Sequence, residues 1–481
     1  MAARYRARRP RASPLWQCLH ACLDDFHAAY PAKYAKNLGP LRPEASGHFL
    51  SFLRCGDLAH GFTRIRCTDC AHEYLLPFTC KRRGVCPSCH QRRTVESAQF
   101  ITTDVCQPLP HRHLVITVPK ALRWIFRRER QHLRLLFDAV RETLLHWMQE
   151  RTGRPTGEVA AVAALHTFGA YLVSHPHVHV LAASGVFDET GAFHLAASGG
   201  KVELAELFRH VILRRLVDER IIESWQAHRF LSWRHSGFHV DAGEAPLAAD
   251  DAPGRQRLAE YLLRAPLSLE KMSWNATTRT VLYRSARSWH TKRNSEIFSG
   301  PDFIAALSEH IPDKYAQTIR YYGRYSNKSR GQRARAAARR GPNNPEQPVT
   351  IIPAAPTRAQ RRTWRALIIR VWGADPLRCP CCGGLMHRAG VIRKPDAIRA
   401  WLTRLGLWEG AIAIPPAHAP PFTDKGLWGV DAWDGHIVEF EPGSEREGLP
   451  TRRRSKSPRE RHLSYTWEDC DLQDQEIDQP V

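Results

Sequence analysis

Five cysteines within 23 residues constrain this chain more than any other stretch: Cys67, Cys70, Cys80, Cys86 and Cys89. They lie in "CTDCAHEYLLPFTCKRRGVCPSC", where Cys67-x-x-Cys70 and Cys86-x-x-Cys89 are separated by 15 residues. Zinc takes four soft ligands in a tetrahedron, and two such knuckles joined across a hairpin make a zinc ribbon. That spacing names Cys67, Cys70, Cys86 and Cys89 as the zinc ligands. Cys80 is then a buried thiol or a further ligand, and His90 a spare one. The total of 13 cysteines is odd, which with the C-x-x-C pairs argues for metal rather than disulfides and for a reducing compartment. A second knuckle, Cys379-x-x-Cys382-Gly in "CPCCGG", has the right shape, but no second C-x-x-C follows it. His387 or Cys381 could complete it; otherwise it is a structural turn.

The ribbon is basic, with Lys81, Arg82, Arg83, Arg92 and Arg93 around the thiols. It fits phosphate contact as well as a purely structural zinc. The whole chain shares this bias: 70 Lys+Arg against 48 Asp+Glu give a formal charge of +22. Such a surplus points to a polyanionic partner, nucleic acid before an acidic membrane surface. No run of 18 or more apolar residues is present, so no membrane-spanning helix is expected. The start, "MAARYRARRPRASPLW", has no apolar core and does not read as a secretory signal; its arginines imitate a transit peptide but belong to the general basic surplus.

At 481 residues the chain has room for two to four domains. Helical periodicity is expected over 14–36, 121–153, 203–226 and 255–265, with a further helix from about Asp302. Strands are expected at 111–120, 158–169 and 175–188, and "KMSWNATTRTVLYRS" reads as a hairpin turning near Asn275. Between Arg320 and Arg340 there are eight basic residues and no acidic one. "IPPAHAPP" at 414–421 reads as a linker, and the polar, charged chain beyond about 440 as disordered. There is no internal repeat.

The strand "SHPHVHVLAASG" carries His175, His177 and His179 at alternate positions. Alternate side chains on a strand share a face, so three imidazoles point one way and Val178 and Val180 the other. Such a row is costly without a metal, a phosphate or a hydrogen-bond network. The preceding strand contributes His166 in "AAVAALHTFG". Antiparallel pairing across the short connection would set His166 beside His177 or His179. A three-nitrogen site with open positions could hold Mg²⁺ or Mn²⁺ as a Lewis acid. The bland reading is a hydrogen-bonded polar cluster.

His177-Val178-His179 matches the His–hydrophobe–His signature of HUH single-strand DNA endonucleases. With the cysteine ribbon, "HTFG", "HPHVHVL", "YLLRAPLSLEKM" and "IRYYGRYSNKSRG" in that order, the chain resembles the rolling-circle transposases of the insertion-sequence-ninety-one type, including their common-region relatives. The resemblance covers roughly residues 45–335 and continues weakly to the knuckle at 379. It implies an α+β fold: an HUH nuclease core, an antiparallel sheet with flanking helices, preceded by a zinc-ribbon domain. It also implies that His177 and His179 hold a divalent metal that polarises the scissile phosphate. His166 stands where many members have glutamine and becomes the third ligand. His175 stands where asparagine is common and takes a hydrogen-bonding role. The nucleophile would be Tyr261 in "RQRLAEYLLRAP", forming a 5′-phosphotyrosine, with Arg264 one turn on to steady the phosphate. Many members carry a second tyrosine four residues earlier; here that position is Arg257. On bare sequence Tyr261 is an ordinary residue of an apolar helix face. Tyr321 and Tyr325, also four apart, are the rival nucleophiles and otherwise read as base-stacking or packing residues.

The expected organisation is a basic arm and amphipathic helix (1–44), a zinc-binding domain (45–100), the nuclease domain (101–300), a helix and basic extension (301–345), a region with the second knuckle (346–440) and a tail (441–481). Arg320, Arg324, Lys328 and Arg330 would track the backbone of single-stranded or locally melted DNA at element ends in a bacterial cytoplasm, with host replication factors as further partners. Cofactors would be structural Zn²⁺ and catalytic Mg²⁺ or Mn²⁺, with no nucleotide. A rolling-circle replication initiator or relaxase would use the same chemistry. A non-catalytic zinc DNA-binding protein would leave the histidines idle. A cupin-type oxidative enzyme would want a glutamate at Ser184.

Overall fold

Ser13 starts the first helix, Pro14–Lys33: its hydroxyl accepts the Trp16 N–H at 3.2 Å, and Pro14 occupies a position with no bond to lose. We describe the chain from a computed structural model covering residues 10–197, 199–243, 245–285, 293–340 and 363–408. The linker expected at 414–421 and the tail at 441–481 lie outside the described residues. The apolar face of the first helix, Leu15, Leu19 and Phe26, is fully buried in one core with Phe49, Phe52, Phe303 and Leu307.

Two strands, β1 (Phe62–Cys67) and β2 (Glu73–Pro77), form a hairpin whose tip is the turn Cys67–Cys70. A third strand, Met386–Ile392, pairs antiparallel with the other edge of β1, Cys67 opposite Met386. The second knuckle is therefore part of the ribbon, although far from it in sequence.

The central sheet is antiparallel. Its strands are β3 (His111–Thr117), β4 (Glu158–Phe168), β5 (Ser174–Phe187), β6 (Phe193–Leu195) and β7 (His239–Asp241). A separate meander follows, β8 (Met272–Asn275), β9 (Thr280–Arg284) and β10 (Ser295–Ser299), and β11 (Ile319–Gly323) returns to the central sheet. The order is β11-β4-β5-β3-β7, with β6 paired to β5. Asn275 makes the expected turn, its side-chain oxygen accepting the Thr277 and Thr278 N–H groups at 3.0 and 3.1 Å.

Both faces of this sheet are covered, which is why β5 is buried nearly end to end. One face packs on the helices Lys120–Arg128 and Leu133–Thr152. The other presents Ala160, Val162, Ala164, Leu181 and Ala183 to Ala98, Ile101, Ala259 and Leu262, from the helical segments that follow the ribbon and carry Tyr261. The histidines share this second face.

Two expected helices are broken. The one at 121–153 divides between Arg128 and Leu133, where Arg130 turns inward to the Glu309 carbonyl at 2.6 Å. The one at 203–226 stops at Asp218 and restarts at Ser224, with Arg220 in left-handed geometry (φ 56°) between them. Neither break has a Gly or Pro to announce it.

Candidate functional site

In the register of β4 with β5, His166 is opposite His177, and Ala164 opposite His179. The small Ala164 leaves room for His166 and His179 to meet, ring centres 4.3 Å apart. All three histidines are buried, at 4%, 5% and 2% exposure. Their hydrogen bonds decide which nitrogens are free. His166 Nε2–H donates to the Leu262 carbonyl (2.8 Å), so Nδ1 carries the lone pair, and this buried atom has no hydrogen-bond partner. His177 Nδ1–H donates to the His175 carbonyl (2.7 Å), which turns its Nε2 inward, 3.0 Å from His179 Nε2. One nitrogen from each ring thus converges on a common point, all within 4.8 Å of one another. Burial holds the His166 and His177 imidazoles neutral, with pKa values down to about 3 and about 4, and pushes His179 lower still with help from its neighbours. A neutral, buried set of imidazole lone pairs fits a divalent metal.

A fourth histidine belongs to this cluster and escaped the sequence reading. His113 on β3 stacks on His179 with ring centres 5.2 Å apart and planes 5° off parallel, and its Nε2 lies 3.0 Å from His179 Nδ1. If His179 Nε2 faces a cation, its Nδ1–H must donate to His113. The signal was the H-x-H alternation of "HRHLVITVPK". His175 is not one of the converging rings. It serves through its backbone carbonyl, and its buried Nε2 has no hydrogen-bond partner.

Tyr261 lies on the helix Ala252–Leu262, begun by Asp251, whose carboxylate accepts the Gly254 N–H at 2.7 Å. The last carbonyls of a helix have no partner within it. Here His166 takes that of Leu262, and His90 Nε2–H (2.8 Å) and Thr94 Oγ–H (3.0 Å) take that of Leu263 just beyond. Pinned there, the helix holds Tyr261 edge-on to His179 and His113, ring centres 5.3 and 5.7 Å away, yet 43% exposed. The Arg264 guanidinium lies 4.5 Å over the Tyr261 ring. A cavity of about 280 Å³ opens beside His166 and Arg264, with Arg83, Arg93, Arg130 and Arg134 also on its wall.

The rival tyrosines are placed differently. Tyr325 is fully buried, its hydroxyl donating to His111 Nε2 (2.9 Å) and accepting the Gln107 N–H (3.1 Å). No ring face is left for a base, which corrects the stacking role. Tyr321 is half-buried against Phe100, ring centres 6.4 Å apart. Of the basic stretch, Arg320 pairs with Asp138 (2.8 Å), Arg324 covers Phe187 and Arg330 bonds the Asn327 side chain (2.6 Å), whereas Lys328 is exposed. Three of the four expected backbone-tracking residues are thus already engaged within the chain.

The cysteines are redistributed. Cys67, Cys70, Cys86 and Cys89 do not meet. Cys55, Cys80, Cys86 and Cys89 form one tetrad, and Cys67, Cys70, Cys379 and Cys382 another. The reason is the hairpin. Cys67 and Cys70 sit at its tip, while Cys55 precedes β1 and Cys80 follows β2 at its open end, a strand length or roughly 20 Å away. Cys80 is therefore a tetrad member, Cys55 was missed, and His90 is a helix-pinning donor rather than a ligand.

Residues 160–333 match the family model of a putative transposase, and residues 24–118 that of a transposase zinc-binding domain. The transposase for insertion sequence element IS801 of Pseudomonas savastanoi pv. phaseolicola is 27% identical over 331 residues, 66% of this chain and 76% of that one. The putative transposase y4qJ of Sinorhizobium fredii is 25% identical over 285 residues, 55% of this chain and 70% of that one. No solved structure matches. A zinc-binding region followed by a transposase region defines the class: this is a transposase. The chain belongs to the insertion-sequence-ninety-one (IS91) family.

Proposed function

We propose that this transposase nicks and rejoins single-stranded DNA through Tyr261, with an HUH-type centre formed by His166, His177 and His179. The observation that carries the reading is the meeting of two features: an exposed tyrosine held edge-on to His179, and three buried imidazole nitrogens converging beneath it. A Mg²⁺ or Mn²⁺ ion held by these nitrogens would supply Lewis-acid polarisation of the scissile phosphate.

The residues around it have distinct tasks. Tyr261 Oη forms the new bond to phosphorus as the P–O3′ bond breaks. The 5′ phosphate stays on the protein as a phosphotyrosine, the phenolic proton is lost, and the 3′ oxygen leaves as a hydroxyl after taking up a proton. Attack of a 3′-hydroxyl on the phosphotyrosine reverses the step and rejoins the strand, so no external energy source is needed. Arg264 neutralises a phosphate oxygen, and the neighbouring arginine-lined cavity receives the flanking phosphates. His90, Thr94 and His166 fix the end of the tyrosine helix. Residues 101–300 carry this chemistry, on chromosomal or plasmid DNA in the bacterial cytoplasm, at element ends exposed during rolling-circle transposition.

Single-stranded oligonucleotides from the DNA flanking the gene, incubated with purified protein and Mn²⁺, should yield a covalent protein–DNA adduct on a denaturing gel. Tyr261→Phe and His177→Ala should each abolish it. An adduct that persists in Tyr261→Phe would move the nucleophile elsewhere. Binding without any adduct in the wild type would favour a non-catalytic DNA-binding role.

A further inference from the structure

We propose that the chain carries two zinc ions, and that one of them closes a composite site between the hairpin tip (Cys67, Cys70) and the distant knuckle (Cys379, Cys382). The site ties residues 363–408 onto the ribbon. The inference is independent of the nuclease reading.

The geometry is that of a tetrathiolate centre. Cys67 Sγ lies 3.5 Å from Cys382 Sγ, across 315 residues of chain, and Cys70 Sγ lies 3.5 Å from Cys379 Sγ. Disulfide sulfurs are about 2.05 Å apart, so these are not bonded pairs. Four sulfurs about 2.3 Å from a zinc ion in a tetrahedron are roughly 3.8 Å from one another. The other tetrad has the same spacing, with Cys55–Cys86 at 3.7 Å, Cys55–Cys89 at 3.9 Å and Cys80–Cys89 at 3.7 Å.

The backbone of "CPCCGG" is built as a knuckle. Cys379 N–H donates to the Gly384 carbonyl (2.8 Å), and the Gly384 N–H donates to Cys382 Sγ (3.4 Å). The turn passes through Gly383 at φ +76°, a left-handed conformation that favours glycine. Cys381 points away and is exposed. Around the site the apolar core is small: Ile65, Cys67, Cys379 and Met386 are its fully buried members. The strand pairing and a second small cluster, Phe62 with Ile398 and Leu402, also join the two segments; metal–thiolate bonds would add to these contacts at the hairpin tip, where the core is smallest. The matched zinc-binding region ends at residue 118 and so contains only half of this tetrad.

The tether reaches toward the candidate active site. The helix Trp364–Trp372, just before the knuckle, packs on the helix Pro87–Phe100, which starts at the other tetrad and carries His90 and Thr94. Each zinc therefore anchors one approach to the helix that supports Tyr261.

Differential alkylation of the full-length, zinc-loaded protein tests this without any substitution. Cys70, Cys381 and Cys382 are all exposed, but Cys381 belongs to neither tetrad. Iodoacetamide should label Cys381 promptly and spare Cys70 and Cys382 until a chelator removes the zinc. Labelling of Cys382 as fast as Cys381 in protein that still holds zinc would overturn the proposal. Native mass spectrometry supplies a second test. Cys67→Ser and Cys379→Ser should each lose one zinc, and the double variant no more than one. Cys67→Ser with Cys86→Ser should lose two; a loss of only one would restore a single ribbon site and sink the composite one.

Discussion

His113 and His179 are 66 residues apart in the chain, yet a 3.0 Å contact makes one the orienting partner of the other. Such partners are worth about 10–100-fold in metal affinity or activity. His113→Ala should therefore raise the Mn²⁺ concentration needed for half-maximal adduct formation by about that factor, with rate recovered at saturation. An unchanged metal midpoint would show that His179 needs no such support. A second buried imidazole speaks to stability. His310 donates to the Leu172 carbonyl (2.8 Å) and accepts from Thr167 (3.1 Å), and burial lowers its pKa to about 4. The unfolded chain binds a proton near pH 6.5, the folded chain only near 4. The stabilisation is thus complete above 6.5 and declines as the pH falls toward 4, by on the order of 3 kcal/mol. In denaturant titrations at pH 7.5 and pH 5, His310→Asn should show a shallower loss than wild type; an equal loss would exclude His310 as a source.

At the scale of elements, the tyrosine helix is positioned by small residues and by borrowed hydrogen bonds. Ala98 and Ala259 are both fully buried where their helices meet the sheet. A larger side chain there must push the helices apart, at a cost of typically 1–3 kcal/mol. Ala259→Leu should lower the free energy of unfolding by that amount, read from denaturant titration, and reduce adduct formation beyond the unfolded fraction. Unaltered stability would mean that the helices are not close-packed on the sheet at Ala259. These elements differ in how far they could be read in advance. The strands β4 and β5 and their pairing follow from alternation and a short connection, so the approach of His166 to His177 was legible. The breaks near Arg130 and Arg220 were not: the first is made by a tertiary contact to the Glu309 carbonyl, and the second is a left-handed helix end taken by an arginine, a residue that does not announce one, with the Ile221 N–H donating to the Leu216 carbonyl. His113 was hidden because a strand's pattern reveals which face a residue takes but not which strand lies next to it.

For the whole molecule, the charge of +22 sets how binding responds to salt. Each single-strand phosphate neutralised contributes a slope of about −0.7 in log K against log salt. Four such contacts would weaken binding roughly 50-fold between 50 and 200 mM NaCl. A flat dependence would refute phosphate-led binding by the exposed basic residues, among which Lys328 stands while Arg320, Arg324 and Arg330 are engaged internally. The chain's own order of residues was enough to determine the chemistry available: thiol pairs suited to zinc, alternating imidazoles on one strand face, a basic surplus for nucleic acid. Those properties are local, set by residue type and the period of a strand. Which thiols come together, which tyrosine stands beside the imidazoles and which arginines are engaged within the chain were decided only by the tertiary structure. A hairpin of finite length separates cysteines that spacing would join, and strand pairing across 315 residues brings together cysteines that spacing could not connect.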